Sequence, residues 1–314
     1  MRIGIDIGGT KTDAVALAAD GTVAAEYRTA TGFGAAAVLA SAEKAVRELA
    51  RAAGVEPSAF TTIGVGIPGA VDRSTGRVAH AVNLGLEDLD LGAELAARLG
   101  RPVWVENDVN AAALGAWLAL GGGSSDSMAY LNLGTGLAAG LVLGGTLWRG
   151  ARGVAGEIGH IPVDPAGPVC PCGQRGCLEL AASGSGLARA WAGGDGASVR
   201  ELFAAAAGGD AKATLVRDRL VEHVAAAVRL LVLTVDPDRV VIGGGLSSLG
   251  DELLGAVREV LRTWAASSPF LAMLDLPERV EVLPPDFPAA AVGAALVGAA
   301  AGNVSDSSLA GGAD

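Results

Sequence analysis

The chain has 314 residues, of which 51% are hydrophobic, and it carries a formal net charge of -11. This length is sufficient for two domains, each with its own core. The apolar residues are mostly alanines interleaved with charged residues, and no run is long enough to span a bilayer, so no membrane partner is expected. The acidic balance and the lack of a Lys and Arg cluster oppose binding to nucleic acid.

The N-terminus enters an apolar run containing Asp6 without the basic, apolar and small-residue sections of a signal peptide. A cytoplasmic location is therefore expected, and thiols stay reduced there.

Two similar units stand out along the chain. Residues 3–7 have isoleucine at every second position and lead into Gly8-Gly9-Thr10-Lys11-Thr12. An apolar run follows at once. This pattern predicts strand, tight loop, strand. A matching unit covers residues 128–143 around Gly134-Thr135-Gly136. The chain is therefore predicted to be internally duplicated.

The remaining pattern alternates helices with strands. Helical spacing covers 35–53, 109–120, 186–192, 199–207, 212–235, 252–266 and about 289–301, and strands are predicted over 62–67, 103–105, 239–242 and 279–283. Two similar halves of this kind predict two α/β lobes with a cleft between them. The predicted smaller lobe is 1–117 plus about 289–302, the larger lobe is 118–288 with a zinc loop over 160–179, and 303–314 form a disordered tail.

The two glycine-rich loops are candidates for phosphate binding. Glycines let backbone N–H groups approach phosphate oxygens closely, and a threonine hydroxyl adds a donor. A plain hairpin is the alternative, because Gly-Gly pairs recur throughout the chain. Phosphate binding is favoured because Asp6 or Asn132 lies two residues before the first glycine of each loop. Asp6 would face Mg²⁺ through water. Neither loop matches a Walker A or dinucleotide motif.

Asp108 follows a predicted strand and precedes a predicted helix within Glu106-Asn107-Asp108. One interpretation is a helix N-cap. The other is a general base for a hydroxyl, because a helix N-terminus favours the ionised carboxylate. Both roles can coexist.

The segment from Gly156 to Glu179 combines metal-binding residues with carboxylates. His160, Cys170, Cys172 and Cys177 form a common structural zinc set, and the sequence contains no other cysteines. The alternatives are three buried thiols, or one disulfide with a cysteine left over. A closed four-ligand site is structural, so this zinc would fix a loop that carries Glu157 and Glu179.

Together these segments resemble the ROK family of bacterial sugar kinases and sugar-responsive repressors, over nearly the entire chain. The motifs that carry the resemblance are Asp6 to Thr12, Gly64 to Gly69, Glu106 to Ala111, Leu133 to Gly136, Gly156 to His160 and Cys170 to Glu179. The resemblance implies an α/β, two-lobed actin/hexokinase-like (ribonuclease H-like) ATPase fold with a zinc-binding loop.

The resemblance also implies roles for individual residues. Asp108 would remove the proton from a sugar hydroxyl, usually on carbon 6, as it attacks the γ-phosphate of ATP. The sugar-binding residues would be Asn107, Glu157, His160 and Glu179, with Asn83 as a further candidate. Thr10, Lys11, Thr135 and Gly136 would line the phosphates, and Gly243, Gly244 and Gly245 would lie near the adenosine. Ala116 and Leu137-Ala138-Ala139 depart from the family pattern.

The leading functional prediction is an ATP-dependent hexokinase acting on glucose, with Mg²⁺ and structural Zn²⁺. The alternatives are an amino-sugar kinase, a polyphosphate-dependent kinase, or a non-catalytic sugar sensor. A repressor is disfavoured because family repressors carry a helix-turn-helix before the first phosphate loop, where this chain begins. A homodimer or homotetramer is expected by family analogy alone.

Overall fold

The computed structural model describes residues 1–191 and 198–307. The strands are β1 (Arg2–Ile7), β2 (Lys11–Leu17), β3 (Val23–Ala30), β4 (Thr62–Ile67), β5 (Ala70–Asp72), β6 (Arg77–Ala81), β7 (Leu86–Leu89), β8 (Val103–Asn107), β9 (Met128–Leu133), β10 (Leu137–Leu143), β11 (Thr146–Trp148), β12 (Arg239–Gly243) and β13 (Val280–Val282). The α-helices are α1 (Ala35–Ala53), α2 (Leu91–Leu99), α3 (Asp108–Ala119), α4 (Glu179–Ala182), α5 (Gly184–Trp191), α6 (Val199–Ala207), α7 (Ala211–Val235), α8 (Asp251–Ser267), α9 (Pro269–Ala272) and α10 (Ala289–Ser307).

The chain divides into two compact units. The first contains residues 1–122 and the C-terminal segment from Pro288, and the second contains residues 123–287. The predicted junctions near residues 117 and 288 lie within a few residues of these bounds.

The first unit is built on a five-stranded sheet in the order β3-β2-β1-β4-β8. The hairpin pairs β1-β2 and β2-β3 are antiparallel, whereas β1-β4 and β4-β8 are parallel. The parallel strands therefore end at the same edge, followed by the glycine-rich loop and by the start of α3. A smaller antiparallel sheet, β5-β6-β7, completes this unit.

Glycines allow α10 to lie directly on this sheet. Gly4 and Gly64 are paired neighbours on β1 and β4, and a Cβ on either would overlap a carbonyl of α10. Side chains alternate along a strand, so Ile3 and Ile5 point to the opposite face. They are fully buried there in a core that includes residues of α1.

The second unit contains a five-stranded sheet in the order β11-β10-β9-β12-β13. The hairpin strands are again antiparallel, and the β9-β12 and β12-β13 pairs are again parallel. Its core is centred on the long helix α7, whose Val224 and Val228 are fully buried. The strand order thus repeats that of the first sheet, as the predicted duplication requires.

Local chain signals set several helix ends. Gly54 ends α1 in a left-handed conformation, with φ of 66°. Asp236 ends α7 in the same way, with φ of 50°, directly before Pro237. A capping box of Ser198 and Glu201 opens α6. These signals explain why the predicted bounds of α1, α6 and α7 agree closely with the structure, whereas the helices α2, α4 and α9 were not predicted.

Some predicted bounds differ from the structure. The last helix continues to Ser307, whereas the sequence predicted a tail from Asn303. The rest of that predicted tail, 308–314, lies outside the described residues, as does Ala192 at the end of a predicted helix. In the described part of the chain, none of the helices has the length and hydropathy that a membrane crossing requires.

Candidate functional site

Acidic side chains gather at the carboxyl end of the first unit's parallel strands. Asp6 pairs with Gly66, and Gly66 pairs with Glu106, so the three residues form one row across β1, β4 and β8. A Cβ on Gly66 would come 3.5 Å from the Cα of Asp108. The absent side chain therefore leaves room for the start of α3 beside Asp6.

Asn107, and not Asp108, is the N-cap of α3. Its Oδ1 accepts hydrogen bonds from the N–H groups of Val109 at 3.0 Å and Asn110 at 3.2 Å. Its Nδ2 donates to the carbonyl of Gly69 at 3.4 Å. Asp108 is the first helical residue, and its Oδ1 accepts from the N–H of Val109 at 3.0 Å. This correction separates two roles, because Asn107 fixes the helix end and Asp108 lies in its positive field.

The ionised form of Asp6 is electrostatically unfavourable in this arrangement. Burial raises the pKa of Asp6 from 3.8 to about 8, and the negative charges of Asp108 and Asp13 add to this effect. Lys11 opposes it. A carboxylate with a raised pKa beside two further carboxylates fits a divalent cation, because a cation would offset the repulsion between them.

The first glycine-rich loop presents unpaired backbone donors. Gly8 N–H donates to the carbonyl of Lys11 at 2.9 Å and closes the turn. Within the described residues, the N–H groups of Gly9 and Thr10 have no acceptor. Lys11 is exposed, and its ammonium lies 3.1 Å from Asp13. Asn83 lies beside the same loop, because a Cβ on Gly9 would come 3.1 Å from its Cβ.

Thr12 supports this loop from beneath. Its side chain is fully buried, and its hydroxyl contacts those of Thr31 at 2.9 Å and Ser41 at 3.2 Å. Thr31 in turn donates to the carbonyl of Gly8 at 2.8 Å. The hydroxyl of Thr12 therefore does not face the loop surface, in contrast to its predicted position among the phosphate ligands.

The second glycine-rich loop lies at the equivalent edge of the second unit. Gly134 N–H donates to the carbonyl of Gly136 at 3.1 Å, and Thr135 is exposed. The N–H groups of Thr135 and Gly136 have no acceptor among the residues described. Gly243 pairs with Asn132, which brings the predicted adenosine segment 243–245 beside this loop.

The segment 243–245 accepts no side chains at its first two positions. A Cβ on Gly243 would overlap the ring of Tyr130, and Gly244 has φ of 81° and lies against the backbone of Leu133. Gly245 is exposed and has open space around it. The backbone here can therefore approach a ligand closely.

The four predicted metal ligands converge in the second unit. One ligand atom from each of His160, Cys170, Cys172 and Cys177 lies within 4.8 Å of the others. The Sγ atoms of Cys172 and Cys177 are 3.6 Å apart. A disulfide has a bond of about 2.0 Å, whereas two thiolates on one tetrahedral zinc lie about 3.8 Å apart. The separation fits a shared metal ion.

The surroundings of these ligands also fit a metal. The Nδ1 atom of His160 is buried and has no hydrogen-bond partner among residues 1–191 and 198–307. The cysteines are free, and Cys172 is exposed, so the alternatives of three buried thiols and of a disulfide do not describe them. Hydrogen bonding from the Gln174 backbone lowers the pKa of Cys172 to about 6, whereas burial raises the pKa of Cys177. Three sulfurs and one imidazole are a ligand set that zinc prefers.

Two predicted sugar ligands flank this cluster. Glu157 is exposed and directly precedes the short helical turn Ile158–His160. Glu179 begins α4, two residues after Cys177, and its Oε2 accepts from the N–H of Leu137 at 3.1 Å. The four predicted metal ligands thus lie between two carboxylates along the sequence.

Sequence reasoning assigned no role to Glu106, which is only 2% exposed. Its Oε1 accepts from the N–H of Asn107 at 3.1 Å and from Nδ2 of Asn110 at 3.3 Å. Its Oε2 lies 3.2 Å from Nε of Arg73, in the turn between β5 and β6. Glu106 therefore stabilises the junction between β8 and α3, which carries Asn107 and Asp108. The sequence signal that could have identified Glu106 is a charged residue at the end of an apolar strand.

Comparison with known proteins identifies the family of the chain. Residues 2–299 match the ROK family. The chain is 35% identical over 279 residues to a glucokinase of Thermotoga maritima, covering 82% of this chain and 86% of the relative. It is 35% identical over 272 residues to an N-acetylmannosamine kinase of Citrobacter koseri, with coverage of 82% and 88%.

A solved structure gives the same result for the fold. The ROK family glucokinase of Streptomyces griseus, in complex with glucose and AMPPNP, superposes with a TM-score of 0.78 and 32% identity. The match covers 95% of this chain and 99% of that structure. The chain belongs to the ROK family. The predicted fold class, an α/β actin/hexokinase-like ATPase fold, is confirmed.

Proposed function

We propose that this protein is an ATP-dependent sugar kinase that transfers the γ-phosphoryl group to the 6-hydroxyl of a hexose, with glucose as the leading substrate. The observation that carries the proposal is the position of Asp108. It lies at a helix N-terminus, in the same unit as a glycine-rich turn whose Gly9 and Thr10 N–H groups have no acceptor in the described part of the chain. Similarity to glucokinases over most of the chain supports the same function.

In this mechanism Asp108 accepts the proton of the sugar hydroxyl. The hydroxyl oxygen forms a bond to the γ-phosphorus, the bond from that phosphorus to the bridging oxygen breaks, and ADP leaves with the electron pair. The dipole of α3 keeps Asp108 ionised, and Glu106 holds the backbone that carries it. The N–H groups of both glycine-rich loops would donate hydrogen bonds to phosphate oxygens.

Two metals complete the proposal. Mg²⁺ would neutralise phosphate charge, and Asp6 would hold it through water. His160, Cys170, Cys172 and Cys177 would hold a structural zinc ion. His160, Asn107, Glu157 and Glu179 would bind sugar hydroxyls, with Asn83 beside the first loop as a further contact. A homodimer or homotetramer stays a prediction.

The amino-sugar alternative is supported by the similarity to an N-acetylmannosamine kinase. A carboxylate that accepts two hydroxyls discriminates against analogues that lack one. Hexoses and their N-acetyl derivatives differ at carbon 2, so carboxylates that bind other hydroxyls would not distinguish them. Substrate choice must therefore be measured.

The test is ADP release with ATP and Mg²⁺ across glucose, mannose, fructose, N-acetylglucosamine and N-acetylmannosamine, with Asp108→Asn as the blank. We expect the highest kcat/KM with glucose. A higher value with an amino sugar would establish the alternative. Silence with every sugar, using ATP or polyphosphate, would contradict a kinase and favour a sugar sensor.

A further inference from the structure

We propose that Glu179 is a positioning residue for the second glycine-rich loop, and that through it the metal cluster supports nucleotide binding. This inference rests on the proposed function, because it takes residues 134–136 to be a phosphate loop. It adds a role for Glu179 that is separate from any contact with sugar.

The first observation is a direct hydrogen bond between the two segments. Leu137 follows the loop immediately, and its N–H donates to Oε2 of Glu179 at 3.1 Å. A Cβ on Gly136 would come 2.5 Å from the same oxygen. Glycine at this position therefore gives the carboxylate access to the loop backbone.

The residues after Glu179 hold the other side of the loop. The helix α4 leads from Glu179 to the buried Ser183. Gly184 N–H donates to the carbonyl of Gly134 at 2.8 Å, and Ser185 N–H donates to that of Thr135 at 3.1 Å. With the loop carbonyls engaged in this way, the N–H groups of Thr135 and Gly136 are left for an anion.

The residues before Glu179 connect it to the metal ligands. Cys177 is two residues away, and the intervening Leu178 is buried and donates from its N–H to the carbonyl of Ile161 at 2.9 Å. Beside His160, a Cβ on Gly159 would overlap the carbonyl of Leu137 and come 3.4 Å from the Cβ of Glu179. The segment that carries the metal ligands therefore packs against the side chain of Glu179 and against Leu137, the residue that follows the loop.

The charge of Glu179 does not by itself favour nucleotide binding, because a carboxylate repels phosphate. Its contribution is to accept the Leu137 N–H and so fix the loop. Glutamine keeps an acceptor oxygen without the charge, whereas alanine removes both. The two substitutions therefore separate positioning from electrostatics.

The experiment measures binding of AMPPNP with Mg²⁺ by calorimetry, without sugar, and the zinc content of each protein. We expect Glu179→Ala to raise the Kd about tenfold, as for loss of one charge-assisted hydrogen bond, and Glu179→Gln to stay within about threefold of wild type. Glu222→Ala, which removes an exposed carboxylate of α7, serves as the matched control and should not change the Kd. Removing the metal from wild type should also raise the Kd.

Each result decides between the explanations. Wild-type affinity or tighter binding in Glu179→Ala would overturn this inference while leaving the kinase proposal intact. Equal loss in the glutamine and alanine variants would also overturn it, because the acceptor would then be irrelevant. A wild-type protein that binds no AMPPNP would overturn both the proposed function and this inference.

Discussion

The two units share one sheet topology but present different chemistry at equivalent loops. In the first unit, Asp6 precedes the glycine-rich turn, and Asp108 contributes a second negative charge beside it. In the second unit, the neutral Asn132 occupies the corresponding place, and a glutamate from the metal-binding segment holds the loop. The same sheet topology therefore places two acidic side chains beside one loop, and a neutral amide with a neighbouring glutamate beside the other.

The two loops are also stabilised by different means. Beneath the first loop, hydroxyls of Thr12, Thr31 and Ser41 form a buried network. The second loop depends on Glu179 and on the residues after it. A hydroxyl network needs no cofactor, whereas the second arrangement is next to the four predicted metal ligands. This difference predicts that metal removal weakens the second unit and spares the first.

The largest expected effect follows from Asp108→Asn. Asparagine keeps the volume and can still accept the N–H of Val109, but it cannot take a proton, so kcat should fall by roughly 10²- to 10⁴-fold. Sugar binding should persist. ADP-release kinetics and sugar calorimetry measure the two quantities. Asp88→Asn, an exposed carboxylate of the small sheet, is the control. Near-normal turnover in Asp108→Asn would refute its role as the base.

Cys172→Ser should produce the next largest effect. Loss of one thiolate should release the metal and lower the free energy of unfolding by several kcal/mol, because metal binding contributes directly to stability. Elemental analysis and chemical denaturation measure both quantities. Hydrogen exchange should increase around residues 134–137 and 158–179 and stay unchanged in β1 and β2. Wild-type protein purified without metal would contradict this prediction.

Local patterns were sufficient to predict much of the fold. Long helices such as α1 and α7 have clear periodicity and identifiable end signals. The strand β3 was not predicted, because its residues alternate between exposed and half-buried and include several alanines. The sheet β5-β7 was missed as well, since strands of three to five residues carry too little pattern.

The site was predictable where its residues are close in sequence. The metal ligands lie within one short segment, and the cysteines occur nowhere else in the chain. Glu106 could not be assigned, because its partner Arg73 lies on a different element. Thr12 was placed among phosphate ligands, although alternation along β2 puts Lys11 and Asp13 on one face and Thr12 on the other.

Asp6→Asn should stabilise the protein without ligands at high pH. The folded-state pKa of about 8 exceeds the unfolded value of 3.8, so wild type loses stability as the pH rises through this range. Asparagine removes that loss, so the gain should be absent below pH 4 and should grow by about 1.4 kcal/mol for each pH unit between the two pKa values. Urea unfolding at pH 4.5 and 8.5 measures it. Mg²⁺ at pH 8.5 should stabilise wild type more than the variant; an identical Mg²⁺ effect in both would contradict cation binding at Asp6.

The smallest effect is expected from Glu106→Gln. This variant tests whether a glutamate side chain fixes the backbone beside Asp108 in the first unit, as Glu179 fixes the loop in the second. Glutamine can still accept from Asn107 and Asn110, but its amide would then face the guanidinium of Arg73, a donor against a donor. Stability should fall by about 1–2 kcal/mol, and kcat should fall by roughly threefold to tenfold at unchanged KM for ATP.

Arg73→Ala is the partner variant. If Glu106 acts through this ion pair, the double variant should lose less than the sum of the single losses. Strictly additive losses would show that Glu106 positions Asp108 without Arg73.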